Sequence, residues 1–239
     1  MSDKINYPAI SVSCKEKPAE SLKKNPAYIF HHIMKCGGSS VNKVLGKWFN
    51  MEYEVVNPGD NINNYIKLRY NTDRIFSDVC ITGHFQGEGH FLHQRYPETI
   101  ERKNEFRIFT FLRDPLKFRI SLYYYIRNSG GMKDTTLKDF TEVFPDYISS
   151  LIPCNKDNYK EVLDRYFFTG IVEELQESMD ILAGLVNKKK ISVPIENVSE
   201  KDGQLSDLNE EVINNFRKSN DLDYSIYNYC LEKYRSFKK

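Results

Sequence analysis

The chain has 239 residues and a mass of 28.1 kDa, enough for one large α/β domain or two small ones, with no need of a disulfide or metal staple. Its 34 Lys and Arg against 33 Asp and Glu leave a net charge of +1, which argues against a nucleic-acid coat or a polybasic membrane binder but permits a local basic pocket. Aromatic residues at 13% exclude a disordered chain, and there is no run of about 18 apolar residues to span a membrane.

Residues 1–26 are polar and interrupted by prolines, so they read as an irregular leader without the apolar centre of a signal peptide. Five cysteines (Cys14, Cys36, Cys80, Cys154 and Cys230) are scattered without a CxxC pair, which suggests neither a zinc site nor a disulfide framework. A cytoplasmic protein with reduced thiols is the expectation.

In chain order, Ala27–Ile33 reads as a strand, Met34–Ser40 as a glycine-containing loop, and the segment from Ser40 as a helix with Val41, Val44, Leu45, Trp48 and Phe49 on one face. Short strands are expected at Tyr53–Val56, ended by Asn57-Pro-Gly-Asp60, and at Asp78–Thr82, followed by a Gly- and His-rich loop. Glu105–Leu112 is the strongest strand candidate. Asp114 and Pro115 then suit the N-cap and first position of a helix running to about Asn128. Residues 135–165 read as helix interrupted at Pro145 and Pro153, Tyr166–Val172 as a strand, and 174–187 as a helix. After a loop at Asp202-Gly203, two helices at 207–218 and 221–237 close the chain. Strands alternating with helices predict an α/β fold: a single three-layer domain over 27–239 with a mostly parallel central sheet.

Ligands of a parallel sheet gather outside the carboxyl ends of its strands, and three segments fall there: Lys35–Ser40, Gly83–His93 and Arg113–Ser121. In the first, Gly37 and Gly38 let the backbone turn and approach a ligand, the following helix N-terminus attracts an anion, and Lys35, Ser39 and Ser40 add charge and hydroxyls. The alternative is a plain strand-to-helix turn with a serine cap. The loop is P-loop-like but lacks GxxxxGK[ST], since Lys35 precedes the glycines. Cys36, at a helix N-terminus, sits where a thiol pKa falls, yet reads mainly as a loop residue. Arg113 suits a phosphate, with Ser121 two turns into the next helix; pairing of Arg113 with a carboxylate is the competing account. His84 follows a glycine at a strand end, where a neutral imidazole beside a substrate hydroxyl would serve as a general base; a surface or structural histidine is the competing account, and the other two segments tip the balance. His90 and His93, with Glu88 between His84 and His90, match no standard metal spacing, so no metal is expected. Tyr123-Tyr124-Tyr125 offers a purine-stacking face, although three consecutive helical residues point in different directions.

Tyr28–Ser40 resembles the 5′-phosphosulfate loop of carbohydrate-type sulfotransferases, F-x-H-I-P-K-T-G-G-T-S, and Phe109–Tyr125 resembles their 3′-phosphate motif, R-D-P-x-x-R-x-x-S-x-Y-Y. Thr82-Gly83-His84 resembles the Gly-His of the relatives of heparan sulfate 2-O-sulfotransferase, and Phe168–Glu173 and Asp223–Tyr227 are also similar to that family. The resemblance implies transfer of a sulfuryl group from 3′-phosphoadenosine 5′-phosphosulfate to a hydroxyl of a carbohydrate or other small molecule. It implies catalytic roles for Lys35 and His84, a 5′-phosphate site at Lys35, Cys36, Gly37, Gly38, Ser39 and Ser40, and a 3′-phosphate site at Arg113 and Ser121. Met34 stands where the family has Pro and Cys36 where it has Thr. Arg119 lies one place beyond the family's second arginine, where Phe118 stands instead. Most eukaryotic members carry a Golgi anchor; with none seen here, a bacterial-type soluble enzyme or a trimmed chain is expected. Two readings compete: a small-molecule kinase, which lacks its Walker A motif and acidic metal cluster, and a non-catalytic adenosine-bisphosphate-binding module.

Overall fold

The computed structural model describes residues 9–10, 26–54, 69–72, 75, 78–87, 89–194 and 208–238. Most of the leader, Cys14, Val55–Asp60, Glu88 and Asp202-Gly203 lie outside the described residues.

Five strands form one sheet: β1 (Ala27–His31), β2 (Asn50–Glu54), β3 (Val79–Gly83), β4 (Phe106–Leu112) and β5 (Phe168–Ile171). Every pairing is parallel, in the order β2-β3-β1-β4-β5. The long apolar runs of β1, β3 and β4 follow from this, because a central parallel strand is covered on both faces. On one face Tyr28, Phe30, Phe109 and Phe111 pack with Val41, Val44 and Leu45 of α1 (Gly38–Trp48), and Phe30 stacks on Phe109 with ring centroids 5.3 Å apart. On the other, Ile29, Ile81, Phe85, Phe106 and Ile108 pack with Leu92 and Tyr96. The expected α/β layering with a parallel central sheet is therefore the architecture found. Ala9–Ile10 pairs in parallel with Arg69–Tyr70 as a separate two-stranded element.

β2 begins at Asn50, immediately after the α1 C-cap, three residues before the start expected from sequence. Its Asn-Met-Glu-Tyr-Glu pattern is too polar to read as strand, but β3 pairs with all five residues. The stretch after β3, expected to begin as a Gly- and His-rich loop, goes on to two short helices, α2 (Leu92–Arg95) and α3 (Pro97–Glu101). A buried ion pair pins them to the sheet edge: Arg95 donates from Nε and Nη2 to the Glu54 carboxylate at 2.7 and 2.9 Å, and the Tyr96 hydroxyl donates to the same group.

α4 (Pro115–Asn128) ends where the sequence indicates. The interrupted stretch resolves into α5 (Leu137–Glu142), α6 (Tyr147–Leu151) and α7 (Tyr159–Leu163). α8 (Leu175–Leu185) and α10 (Asp221–Ser236) cover β5, and α9 (Glu210–Ser219) starts under an Asn209 cap whose side chain accepts from the Val212 N–H at 2.9 Å. None of the described helices is long and apolar enough to cross a membrane.

Candidate active site

β1 leads into a tight turn. Lys35 has φ 59° and Gly37 has φ 74°, and the left-handed region suits the glycine. Gly37 occupies the N-cap of α1 and no side chain caps the helix. The first helical bond runs from the Val41 N–H to the Gly37 carbonyl at 3.1 Å, so the N–H groups of Gly38, Ser39 and Ser40 precede it at the positive end of the helix. Gly38 is required for a different reason: a Cβ there would fall 1.8 Å from Nε2 of His32. Ser39 is exposed and Ser40 buried. The Cys36 thiol is buried against the backbone of Arg113, and burial pushes its pKa up to about 12. This reverses the fall expected at a helix N-terminus, because desolvation outweighs the helix field.

The neighbouring unit, β4 to α4, turns differently. Asp114 caps α4 with its own carboxylate, accepting from the N–H groups of Leu116 and Lys117 at 3.0 Å each. The Asp114 N–H donates to Glu173 at 3.1 Å, and the Tyr227 hydroxyl donates to the same carboxylate at 3.1 Å, tying this turn to the end of β5 and to α10. Arg113 and Ser121 are both half-buried. Tyr125, one turn beyond Ser121, carries the Lys35 ammonium 4.2 Å above its ring centroid, so α4 and the Lys35 loop meet. Tyr123 is core, while Tyr125 is half exposed.

Arg119 turns away from this edge. Its guanidinium donates to the carbonyl of Val143 at 2.8 Å and to that of Phe144, among the rings of Phe140, Tyr147 and Phe216. Phe118, in the place of the family's arginine, is buried against Tyr147. Arg119 holds the loop between α5 and α6.

His84 lies beyond β3, the strand hydrogen-bonded to β1 on the side away from β4. Its Nδ1 is 2.9 Å from the carbonyl oxygen of His32. A carbonyl only accepts, so Nδ1 carries the proton and Nε2 the lone pair. Burial lowers the His84 pKa, with the carbonyl partly opposing, and the ring is neutral near pH 7. The His32 and His84 rings lie 4.4 Å apart at 30°, and burial takes the pKa of His32 down to about 3. His31 points to the opposite face, where Nδ1 meets the Tyr166 hydroxyl at 2.7 Å. His93 is exposed, stacked on Phe91. Among the described residues no three His, Cys, Asp or Glu side chains are grouped to hold a metal ion.

The three segments singled out from sequence thus share one sheet edge. His32 was missed as a member, since alternation dictates only that one of His31 and His32 faces the loop. Gly38, the one residue able to lie beneath that imidazole, was its signal. Glu173 and Tyr227 stood out in the sequence only through the family resemblance of their segments; that they brace this turn depends on the path of α10.

No protein-family model matches the chain, nor does any curated protein. Among solved structures, a sulfotransferase from Alicyclobacillus acidocaldarius matches with a TM-score of 0.51 and 13% identity, over 90% of this chain and 99% of that one. The chain shares that protein's fold. Mouse sulfotransferase SULT7A1, crystallised with PAP, matches at a TM-score of 0.43 and 12% identity over 84% of this chain and 67% of its own.

Proposed function

We propose that the chain is a sulfotransferase of the carbohydrate type, related to heparan sulfate 2-O-sulfotransferase, with residues 27–239 as its working domain. Its sulfuryl donor is 3′-phosphoadenosine 5′-phosphosulfate and its acceptor is a hydroxyl of a carbohydrate or other small molecule. The observation that carries this reading is His84: a half-buried, neutral imidazole whose Nδ1–H is committed to the His32 carbonyl, leaving Nε2 to accept a proton beside the uncapped α1 N-terminus.

The donor supplies a sulfuryl group already bonded to a good leaving phosphate. The open N–H groups of Gly38–Ser40, reached through the backbone of Cys36 and Gly37, fit the 5′-phosphate. Arg113 and Ser121 fit the 3′-phosphate as a charged and a neutral donor. As the acceptor oxygen bonds to sulfur and the bond from sulfur to the phosphate oxygen breaks, the electron pair stays on the phosphate. Lys35 offsets that charge and His84 Nε2 takes the hydroxyl proton. None of these groups needs a metal.

Adenosine 3′,5′-bisphosphate is expected to raise the melting temperature with chelator present, by about 2.7 kcal/mol of stabilisation at a hundredfold excess over Kd. Adenosine 5′-monophosphate should shift it less. No shift at millimolar bisphosphate, or equal shifts from both, sinks the proposal. Transfer of labelled sulfate to a panel of hydroxyl acceptors then separates an enzyme from a nucleotide-binding module.

A further inference from the structure

Packing does not account for the choice of histidine at position 32. The ring stacks on Phe30, with centroids 5.4 Å apart and planes at 14°, and lies 4.4 Å from the ring of His84. A phenyl ring would fill the same place. The imidazole instead buries Nδ1 with no hydrogen-bond partner among the described residues, a cost in stability that a phenyl ring would avoid. The first residue of α1 also gives up its side chain to this ring. A Cβ on Gly38 would lie 1.8 Å from Nε2 and 2.0 Å from Cδ2, so the edge carrying Nε2 is seated directly against the start of the helix.

The proton on that ring has one good position. Burial, followed by the neighbouring His84 and His31, takes the His32 pKa down to about 3, so near pH 7 the ring is neutral and holds a single N–H. On Nδ1 that proton would be a buried donor with nothing to bond. On Nε2 it leaves only a lone pair in the interior, and the donor stands at the helix end. The two stacked histidines thus hold opposite tautomers: His84 keeps its proton on Nδ1, for the His32 carbonyl, and His32 keeps its own on Nε2.

At that helix end the N–H groups of Gly38, Ser39 and Ser40 precede the first helical bond, and no side chain caps them. The His32 N–H adds a side-chain donor to this set, on the same side of the sheet as His84 and opposite to His31. A neutral donor suits the place. An imidazolium 4.4 Å from His84 would oppose the arrival of a proton there, and a neutral ring does not.

We infer, resting on the sulfuryl-transfer reading, that His32 binds the sulfuryl donor: its Nε2–H donates to an oxygen of the 5′-phosphate at the α1 N-terminus, while its carbonyl holds His84. One residue then ties the phosphate site to the general base, by its side chain on one side and its backbone on the other.

Binding is measured by titration calorimetry on the full chain with adenosine 3′,5′-bisphosphate, which carries the 5′-phosphate, and adenosine 3′-monophosphate, which lacks it. His32→Phe keeps a ring on Phe30 and removes the N–H. His32→Gln presents an amide N–H at about the reach of Nε2. Cooperative melting checks that each variant is folded, and nitrogen NMR of the wild-type imidazoles reads the tautomers with no variant needed.

His32→Phe is expected to weaken the bisphosphate about tenfold, one hydrogen bond's worth, and to leave the 3′-monophosphate unchanged. His32→Gln should recover most of that loss. In the wild type the His32 proton should be on Nε2, with a resonance that moves when the bisphosphate is added. Equal losses for the two nucleotides would make His32 a structural support and overturn the inference. So would an unaltered bisphosphate affinity in folded His32→Phe, or a proton found on Nδ1 of His32. Each of those results leaves the sulfotransferase reading intact. A wild type that binds neither nucleotide overturns both. Bisphosphate binding with the expected pattern but without sulfuryl transfer to any acceptor upholds the His32 contact and removes the enzyme reading.

Discussion

β1–α1 and β4–α4 are neighbouring strand–turn–helix units with the same topology, paired from Ala27 with Phe106 to His31 with Thr110. They differ at one position. The first begins its helix at Gly37, which has no side chain to offer; the second begins at Asp114, whose carboxylate takes two helix N–H groups for itself. An anion at the first unit therefore meets backbone donors and a helix field. At the second it meets a closed N-terminus with a negative charge on it, and must be held by side chains such as Arg113 and Ser121. On the proposed reading, equivalent positions in one sheet serve two phosphates by different chemistry, with the residue at the N-cap deciding which.

The largest effects should come from the first unit, to which His84 is tied through the His32 carbonyl. His84→Asn is expected to cost about 10²–10⁴ in turnover with nucleotide affinity largely kept. The pH profile adds a sign. On the proposed reading the active ring is the neutral one, and burial lowers its pKa, so turnover should stay level from neutrality downward and fall only below the ordinary histidine value of about 6.5. An inflection above that value, or an Asn variant near full activity, removes His84 from the reaction. β4 and α4 contain no histidine, so nucleotide affinity carried by the second unit should not follow this profile.

Lys35→Ala and Arg113→Ala test the comparison directly. On the proposed reading Lys35 faces charge that develops during transfer, and its loss should lower kcat by about 10²–10³. On the same reading Arg113 faces charge present before and after, and its loss should weaken adenosine bisphosphate by about ten- to a hundredfold, the worth of one charge-assisted hydrogen bond, with kcat little changed. Titration calorimetry alongside steady-state kinetics separates the two. If both variants lose affinity alone, Lys35 is a second binding cation and the units do not divide the work.

The sequence carried β1, β4, the Asp114 cap and the end of α4, because each is a local signal: an apolar run, an Asp-Pro step, a pair of glycines. It carried the shared edge of Lys35, His84 and Arg113 because parallel strands present their carboxyl ends together. β2 was misplaced at its start, since pairing with β3, not its own polar pattern, makes it a strand. α2 and α3 were missed because the Glu54–Arg95 pair that anchors them joins residues 41 apart. Arg119 was left open for a related reason. Its charge marks it as a phosphate ligand, and only the carbonyls of Val143 and Phe144, brought round by a later loop, reveal that it is spent inside.

The smallest expected effect is the most discriminating for the comparison. Asp114→Ala removes the carboxylate that closes the second helix. Loss of such a cap costs about 1 kcal/mol, read as a lower denaturation midpoint with an unchanged slope. The same substitution frees the N–H groups of Leu116 and Lys117 and removes a negative charge near Arg113. If the cap is what keeps the second unit from binding anions through its backbone, adenosine bisphosphate should bind Asp114→Ala at least as tightly as the wild type, despite the lower stability. Asp114→Asn, which retains a capping oxygen without the charge, should recover most of the stability. A variant that loses affinity in step with stability would mean that Asp114 positions Arg113 through the Glu173 contact of its own N–H, and the contrast between an open and a closed helix end would then explain nothing about binding.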